Sequence, residues 1–213
     1  MIGSNQLRQA LRLSSPRFWT ALFVFLAFVC VVAPSYGQRG AFTERRNLEQ
    51  LVSQADVIVR GQVVSARVER HPEFRNLWTV VVTLRVEETL KGSLGRQYTF
   101  RQFIWDPRDR LDAAGYRKGQ SLLLLMNKTT PYGLTSPTGL EQGRFRLTRD
   151  TQGRETAVNG YGNAGLLQGL DKELPRQGIR LPPHLAAVVS GHRGGPISAD
   201  DLSDLIRRLA RTQ

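Results

Sequence analysis

Two long runs of β-branched residues within Ala55–Gly92 constrain the fold of this chain more than any other feature. Both runs are rich in Val, Leu and Thr, and a short polar insert with a proline and an asparagine separates them. β-Branched side chains favour a pleated backbone, and the insert marks a break between strands. The stretch therefore predicts two consecutive antiparallel strands, at Val57–Glu69 and Leu77–Glu88. Gly61 interrupts the first strand, which is typical of a bulge or sharp bend.

Shorter strand signals follow, with turn residues between them. Gln97–Ile104 alternates, and Ser121–Met126 is a continuous apolar run, which is typical of a fully buried strand. Gly143–Thr148 and Arg154–Val158 predict a hairpin, because a polar turn with a glycine separates them. Six strands at this spacing indicate a mainly β fold, either a barrel or a sandwich.

Two amphipathic helices flank the predicted strands. Leu48, Leu51 and Val52 share one face of a short helix before the first strand. Ile197–Arg211 predicts a C-terminal helix with Ser198 as its N-cap. The acidic residues of this helix lie near its N-terminal end and the arginines near its C-terminal end, as the helix dipole favours. Each apolar stripe is expected to pack on the β domain.

The segment between the last predicted strand and the C-terminal helix is rich in Gly and Pro. We expect it to wrap around the β domain or to act as a linker, with a short helix around Pro183–Ser190. The sequence thus divides into a leader at 1–37, a helix-bearing segment at 38–54, a β domain (barrel or sandwich) at 55–159, a wrap or linker at 160–195 and a C-terminal helix at 196–213.

The first 37 residues have the layout of a secretory signal peptide. Three arginines precede an uncharged apolar run of 15 residues, Phe18–Val32, and small residues follow it. We expect cleavage between Gly37 and Gln38, and export to the periplasm or out of the cell. The run is shorter than the roughly 20 residues that cross a bilayer. An uncleaved anchor at residues 18–32 stays open as an alternative, because the site is not Ala-x-Ala, and membrane contact is expected only through it.

Composition limits the chemistry of the exported chain. Cys30 is the only cysteine and lies in the apolar run, so no disulfide, thiolate metal site or cysteine nucleophile is expected after cleavage. The three histidines, His71, His184 and His192, have no metal-binding spacing. The sequence therefore predicts neither a metal nor another cofactor.

The exported part is strongly basic. After Gly37 there are 27 basic and 18 acidic residues, a net charge of +9. The arginines are scattered along the strands, which favours a solvated basic surface. No nucleic-acid motif accompanies them, so nucleic acid is not an expected partner. The charge would instead attract a protein with acidic groups or an acidic envelope polymer.

Three segments resemble the netrin-like module: ADVIVRGQV at 55–63, VTLRVEETLKG at 82–92 and YTF at 98–100. GQSLLLL at 119–125 resembles a later core strand of that module. The family includes the N-terminal domains of the tissue inhibitors of metalloproteinases and exported bacterial proteins of unknown function. Over roughly 55–147 the resemblance implies a small OB-like antiparallel β-barrel with flanking helices. The inhibitors chelate the protease zinc through an N-terminal cysteine that has no match here, so the resemblance does not extend to that mechanism.

Two long loops between predicted strands, Trp105–Gly119 and Lys128–Gly139, carry aromatic and basic residues. Such side chains can stack on and pair with an anionic or sugar ligand, and loops on a rigid scaffold commonly bind partners. The alternative is that the aromatic residues fix the loops to the β domain. The candidate binding residues are Trp105, Arg108, Arg110, Tyr116, Arg117, Lys128 and Tyr132.

The sequence favours an exported binding module without a catalytic site, whose partner is a secreted protease, another protein or an acidic envelope polymer. No nucleophile elbow or metal-binding motif occurs. The alternative is an envelope hydrolase whose acid–base pair comes from distant residues such as His71, Asp106, Asp109 and Glu141. Convergence of these side chains in one pocket would support the enzyme.

Overall fold

A computed structural model describes residues 44–211, and the predicted signal peptide with its cleavage site lies outside them. Within this range the protein is mainly β, with seven strands in one antiparallel sheet and four α-helices. None of the helices in residues 44–211 combines the length and the hydrophobicity that crossing a membrane requires.

The six predicted strands are present within a few residues of their predicted bounds. The strands are β1 (Val57–Arg70), β2 (Trp78–Lys91), β3 (Gln97–Phe103), β4 (Ser121–Met126), β5 (Arg144–Arg149), β6 (Glu155–Asn159) and β7 (Ile197–Ser198). The helices are α1 (Leu48–Gln54), α2 (Leu170–Arg176), α3 (Pro183–Gly191) and α4 (Ala199–Ala210). The sequence predicted neither β7 nor α2.

The sheet is open, with the strand order β3-β2-β1-β4-β5-β6-β7. The edge strands β3 and β7 do not pair with each other, so the predicted barrel is not closed by strand pairing. A loop at residues 127–139 lies along β3 instead: the Thr135 N–H donates to the Arg101 carbonyl at 2.9 Å, and Leu134 forms a parallel bridge to Arg101. The same loop pairs with the end of β4, where Pro137 bridges to Met126.

β1 organises the sheet because it pairs with β2 along nearly its whole length and with β4 along its first half. Its register against β2 shifts at three places, one of them between Arg60 and Gly61. Such bulges bend a strand, and the predicted irregularity at Gly61 is confirmed. A Cβ atom at Gly61 would lie 2.4 Å from the Arg85 carbonyl oxygen, so the close approach of β2 requires glycine here.

Two hydrophobic cores lie on opposite faces of the sheet, because successive side chains of a strand alternate. The helix-side core packs sheet residues such as Ile58, Leu123 and Phe145 against all four helices. The loop-side core comprises Val59, Val63, Val80, Val82, Leu84, Phe100, Ile104, Tyr116, Leu122, Leu124 and Met126. Val80, Val82 and Leu84 alternate along β2 and share this buried face, and Val86 continues it as a partly buried residue.

Lys91, the last residue of β2, holds α1 in place. The Lys91 ammonium donates to the Val52 carbonyl at 2.9 Å, at the C-terminal end of α1, where helix carbonyls lack partners. Burial lowers the pKa of Lys91, and the negative charge of Asp56 partly offsets this shift. Gly92 has φ = +83°, a conformation that glycine adopts without strain.

The segment 160–195 packs into the fold. Its helices α2 and α3 bury Leu170, Leu174, Leu185 and Val189 in the helix-side core. The C-terminal helix is confirmed as well: the Ser198 hydroxyl accepts a hydrogen bond from the Asp201 N–H, and the predicted apolar stripe of α4 is buried.

Candidate functional site

The turn between β1 and β2 is built around His71, which is 2% exposed. Its Nδ1 accepts hydrogen bonds from the backbone N–H groups of Glu73 and Phe74, at 3.2 and 3.1 Å. Its Nε2 lies 2.9 Å from the Tyr132 carbonyl oxygen. Because Nδ1 is the acceptor, Nε2–H is the donor to Tyr132. His71 therefore joins the turn to the 127–139 loop.

Aromatic packing strengthens this junction. The Phe74 ring lies 5.0 Å from the His71 ring and 5.3 Å from the Tyr132 ring, to which it is edge-on. Edge-to-face pairs of this kind contribute about 0.5–1.5 kcal/mol beyond the area that they bury. The Tyr132 side chain nevertheless remains 58% exposed and available to a partner.

Trp78, the first residue of β2, is in contact with two arginines. The Arg70 guanidinium carbon is 4.4 Å from its ring centroid, and that of Arg110 is 5.0 Å away. Arg70 also donates to the Arg75 carbonyl and Arg110 to the Pro107 carbonyl. Cation–π contacts and backbone hydrogen bonds together hold both guanidinium groups at this end of the sheet.

The loop after β3 adds large exposed side chains. Trp105 is 63% exposed and stands edge-on to Phe103 at 4.8 Å, and Leu111 is 91% exposed. Two shallow grooves, of about 310 and 450 Å³, connect Trp78 with Phe103 on one side and with Leu111 on the other. We call this end of the sheet the aromatic surface, formed by Arg70, Phe74, Trp78, Phe103, Trp105, Arg110, Leu111 and Tyr132.

Tyr116 does not belong to this surface, which corrects its prediction as a binding residue. It is 2% exposed in the loop-side core, and its hydroxyl donates to Gln102 Oε1 at 2.9 Å. Burial raises the pKa of Tyr116 well above its ordinary value. The buried Arg144 guanidinium lies 4.0 Å from the ring centroid and donates to the carbonyls of Ala114 and Gly115. Tyr116 therefore fixes its loop to the β domain, which was the alternative to ligand binding.

The other predicted binding residues are spread over the molecule. Arg108 is exposed and lines the groove beside Leu111, and its guanidinium donates hydrogen bonds to the Asp106 carboxylate, which raise the pKa of Arg108. Arg117 is exposed just before Gly119, whose N–H donates to Val63 in the middle of β1. Lys128 is exposed after β4. Tyr132 contacts the β1–β2 turn, Arg110 lies over Trp78 directly after it, and Trp105 stands against Phe103 at the same end of the sheet.

The residues of the alternative enzyme do not converge. His71 is hydrogen-bonded to backbone groups, Asp106 pairs with Arg108, and Glu141 pairs with Arg144 at 3.2 Å. Within residues 44–211, no three His, Cys, Asp or Glu side chains could hold a metal ion together.

The sequence interpretation missed the contribution of the β1–β2 turn. Trp78 and Phe103 each lie at the end of a predicted strand, where a large aromatic side chain can reach the sheet end. The position of these two aromatic residues at strand ends was the sequence signal for a surface here. The contact of Trp78 with both Arg70 and Arg110 brings together residues 40 positions apart and has no sequence signature. No protein-family model and no curated protein matches this chain.

Proposed function

We propose that this chain is an exported, non-enzymatic binding module that recognises a protein partner through the aromatic surface. The observation that carries the proposal is that the loops after β3 and β4 both pack at the start of β2. Tyr132 contacts Phe74 and His71 in the β1–β2 turn, and Arg110 lies over Trp78, the residue that follows this turn. Phe74, Trp105 and Tyr132 are exposed at this end of the sheet. Aromatic residues and arginine are enriched at protein interfaces, because they bury large areas and still make polar contacts.

The partner's expected chemistry is acidic. Arg70 and Arg110 form no ion pair with any carboxylate in residues 44–211, so both remain able to pair with a partner's acidic groups. Binding should weaken as salt increases, since exposed charges are screened. A secreted protease or an acidic envelope polymer would satisfy the same chemistry.

The fold proposal that accompanies this function is an OB-like barrel of the netrin-like type. It is supported by the bent β1, which pairs with both β2 and β4, and by the 127–139 loop, which contacts β3 at Arg101 and β4 at Met126. Export as a cleaved chain that begins near Gln38 is part of the same proposal, and sequencing of the N-terminus of secreted protein tests it.

The binding proposal is tested by site-directed crosslinking. A benzophenone side chain in place of Leu111 should capture a partner from the envelope fraction, whereas one in place of Arg149, an exposed residue of β5, should not. Trp105→Ala with Arg110→Ala should then reduce affinity for the captured partner at least tenfold.

The matched control is Tyr161→Ala with Arg149→Ala, which removes an exposed aromatic residue and an arginine elsewhere. Circular dichroism should show that both double variants are folded. Equal affinity of the two double variants would show that the partner binds another surface.

A further inference from the structure

A groove runs along the contact between α2 and α3, on the helix side of the sheet and apart from the aromatic surface. Its first stretch, about 630 Å³, is mainly apolar and is lined by residues that include Leu174, Ile179, Leu181 and Ala186. Leu174 and Ile179 are buried in the floor, whereas Ala186 is exposed at the rim. An open apolar trough of this size is within the range of small-molecule sites.

A second, more polar stretch of about 680 Å³ continues the groove past the C-terminal end of α3. Asp171 and Val189 line both stretches, so the two adjoin. Arg45 and Arg193 line the second stretch, and the Arg45 side chain passes over Gly165, where a Cβ atom would lie 3.1 Å from its Cδ. A glycine at this position therefore leaves room for the arginine.

The two arginines give the polar stretch a positive charge. Neither Arg45 nor Arg193 pairs with a carboxylate among residues 44–211, and Arg193 is held by a hydrogen bond to the His192 carbonyl. Asp171 supplies one negative charge at the junction, and Arg180 lines the apolar stretch. Among the lining residues, cations therefore outnumber anions three to one.

We propose that this groove binds a single-chain amphiphile with a carboxylate or phosphate head. The apolar chain lies along Leu174, Ile179 and Leu181, where it removes apolar surface from water. The anionic head lies in the polar stretch, where the guanidinium groups of Arg45 and Arg193 donate charge-assisted hydrogen bonds to its oxygens. Charge complementarity at one end and an apolar floor at the other select this ligand over a free anion or a cationic amphiphile.

Calorimetric titration of the full-length protein with four probes tests the head and the chain separately. Dodecanoate and dodecyl phosphate, below their micelle concentrations, should both bind. Dodecyltrimethylammonium, with the same chain and the opposite charge, should bind at least tenfold more weakly, and inorganic phosphate should show no comparable affinity. Equal binding of anionic and cationic amphiphiles would overturn the proposal, and so would binding of inorganic phosphate as tight as that of dodecyl phosphate.

Two pairs of variants place the ligand in the groove. Ala186→Trp fills the apolar stretch and should weaken dodecanoate binding at least tenfold, whereas Ala187→Trp, exposed on the same helix outside the lining, should not. Arg45→Ala with Arg193→Ala should weaken binding similarly, compared with Arg146→Ala and Arg149→Ala as the control.

Thermal unfolding of each variant verifies its fold, and the comparison of probes on the unaltered protein stands without any variant. If Ala186→Trp and Ala187→Trp bind dodecanoate equally, the amphiphile does not occupy this groove and the proposal is wrong. None of these variants alters the aromatic surface. The proposal that the aromatic surface binds a protein partner is therefore tested separately, by the crosslinking experiment.

Discussion

The helix-side core and the loop-side core use opposite faces of the same sheet, but different parts of the chain complete them. Every buried member of the loop-side core lies between Val59 and Met126, in one continuous segment. The helix-side core extends from Leu48 to Leu209 and joins both ends of the described chain. A hydrogen bond of 2.7 Å from the Leu48 N–H to the Leu166 carbonyl links segments 118 positions apart.

This difference explains which elements could be recognised in advance. The loop-side core follows from the β-branched runs of β1 and β2 and from the continuous apolar run of β4, patterns that are local in the sequence. The helix-side core depends on segments that meet only in three dimensions. It includes α2, a seven-residue helix that contains Pro175 and is flanked by Gly169 and Gly178. Proline and glycine usually indicate a loop, so local reasoning favoured a wrap or linker here.

The largest expected effect is on the helix-side core. Phe145 is fully buried there, and Phe145→Ala should lower the free energy of unfolding by about 3–5 kcal/mol, because it leaves a cavity between the sheet and the helices. Urea denaturation should show a lower midpoint with an unchanged slope. A loss below about 1 kcal/mol, well under that range, would mean that the helices contribute little to the core.

The matching change on the loop side is Leu84→Ala. Leu84 is fully buried between β1 and β3, and its loss should cost about 2–5 kcal/mol. The same denaturation experiment measures it. If this variant is as stable as the unaltered protein, the face enclosed by β1–β4 is not a true core, and the comparison between the two faces fails.

Tyr116→Phe is a smaller change that tests how the loop is held. It removes the hydrogen bond to Gln102 and keeps the ring beneath Arg144, so we expect a loss of about 0.5–1.5 kcal/mol. Because the pKa of Tyr116 is raised in the folded protein, its contribution is present below about pH 10 and is lost at more alkaline pH. The phenylalanine variant should show less alkaline destabilisation. An unchanged alkaline profile would contradict this assignment.

The smallest expected effect is that of His192, on the helix side, where stability is lost at acid rather than at alkaline pH. Burial, and secondly Arg193, lower the pKa of His192, and its Nε2 is buried without a hydrogen-bond partner among residues 44–211. Its contribution to stability is therefore present above the ordinary histidine pKa of about 6.5 and is lost as the pH falls through the lowered value. His192→Gln should be less sensitive to acid in this window, as thermal unfolding between pH 7 and pH 5 would show. Identical profiles would indicate that His192 does not carry the effect.

The candidate site was predictable in part, for reasons that particular residues illustrate. Trp105, Arg110 and Tyr132 belong to loops whose composition already indicated binding. Tyr116 lies in the same loop as Trp105 and Arg110, yet it is buried. The end of this loop folds back over β1, and hydrogen bonds from Arg144 hold the loop backbone there. Local sequence cannot distinguish these outcomes, since the burial of a loop side chain depends on the path of the loop across the sheet.

The sequence by itself determined the six longer strands, the two amphipathic helices and the turns between the strands. These features depend on the conformational preferences of neighbouring residues and on the periodicity of apolar side chains, both of which are local. Tertiary structure alone decided that the sheet remains open at β3 and β7, that α2 forms within a Gly- and Pro-rich segment, and that Trp78 contacts both Arg70 and Arg110. Each of these depends on contacts between residues that are distant in the chain, and such contacts form only when folding brings apolar surfaces together and excludes water.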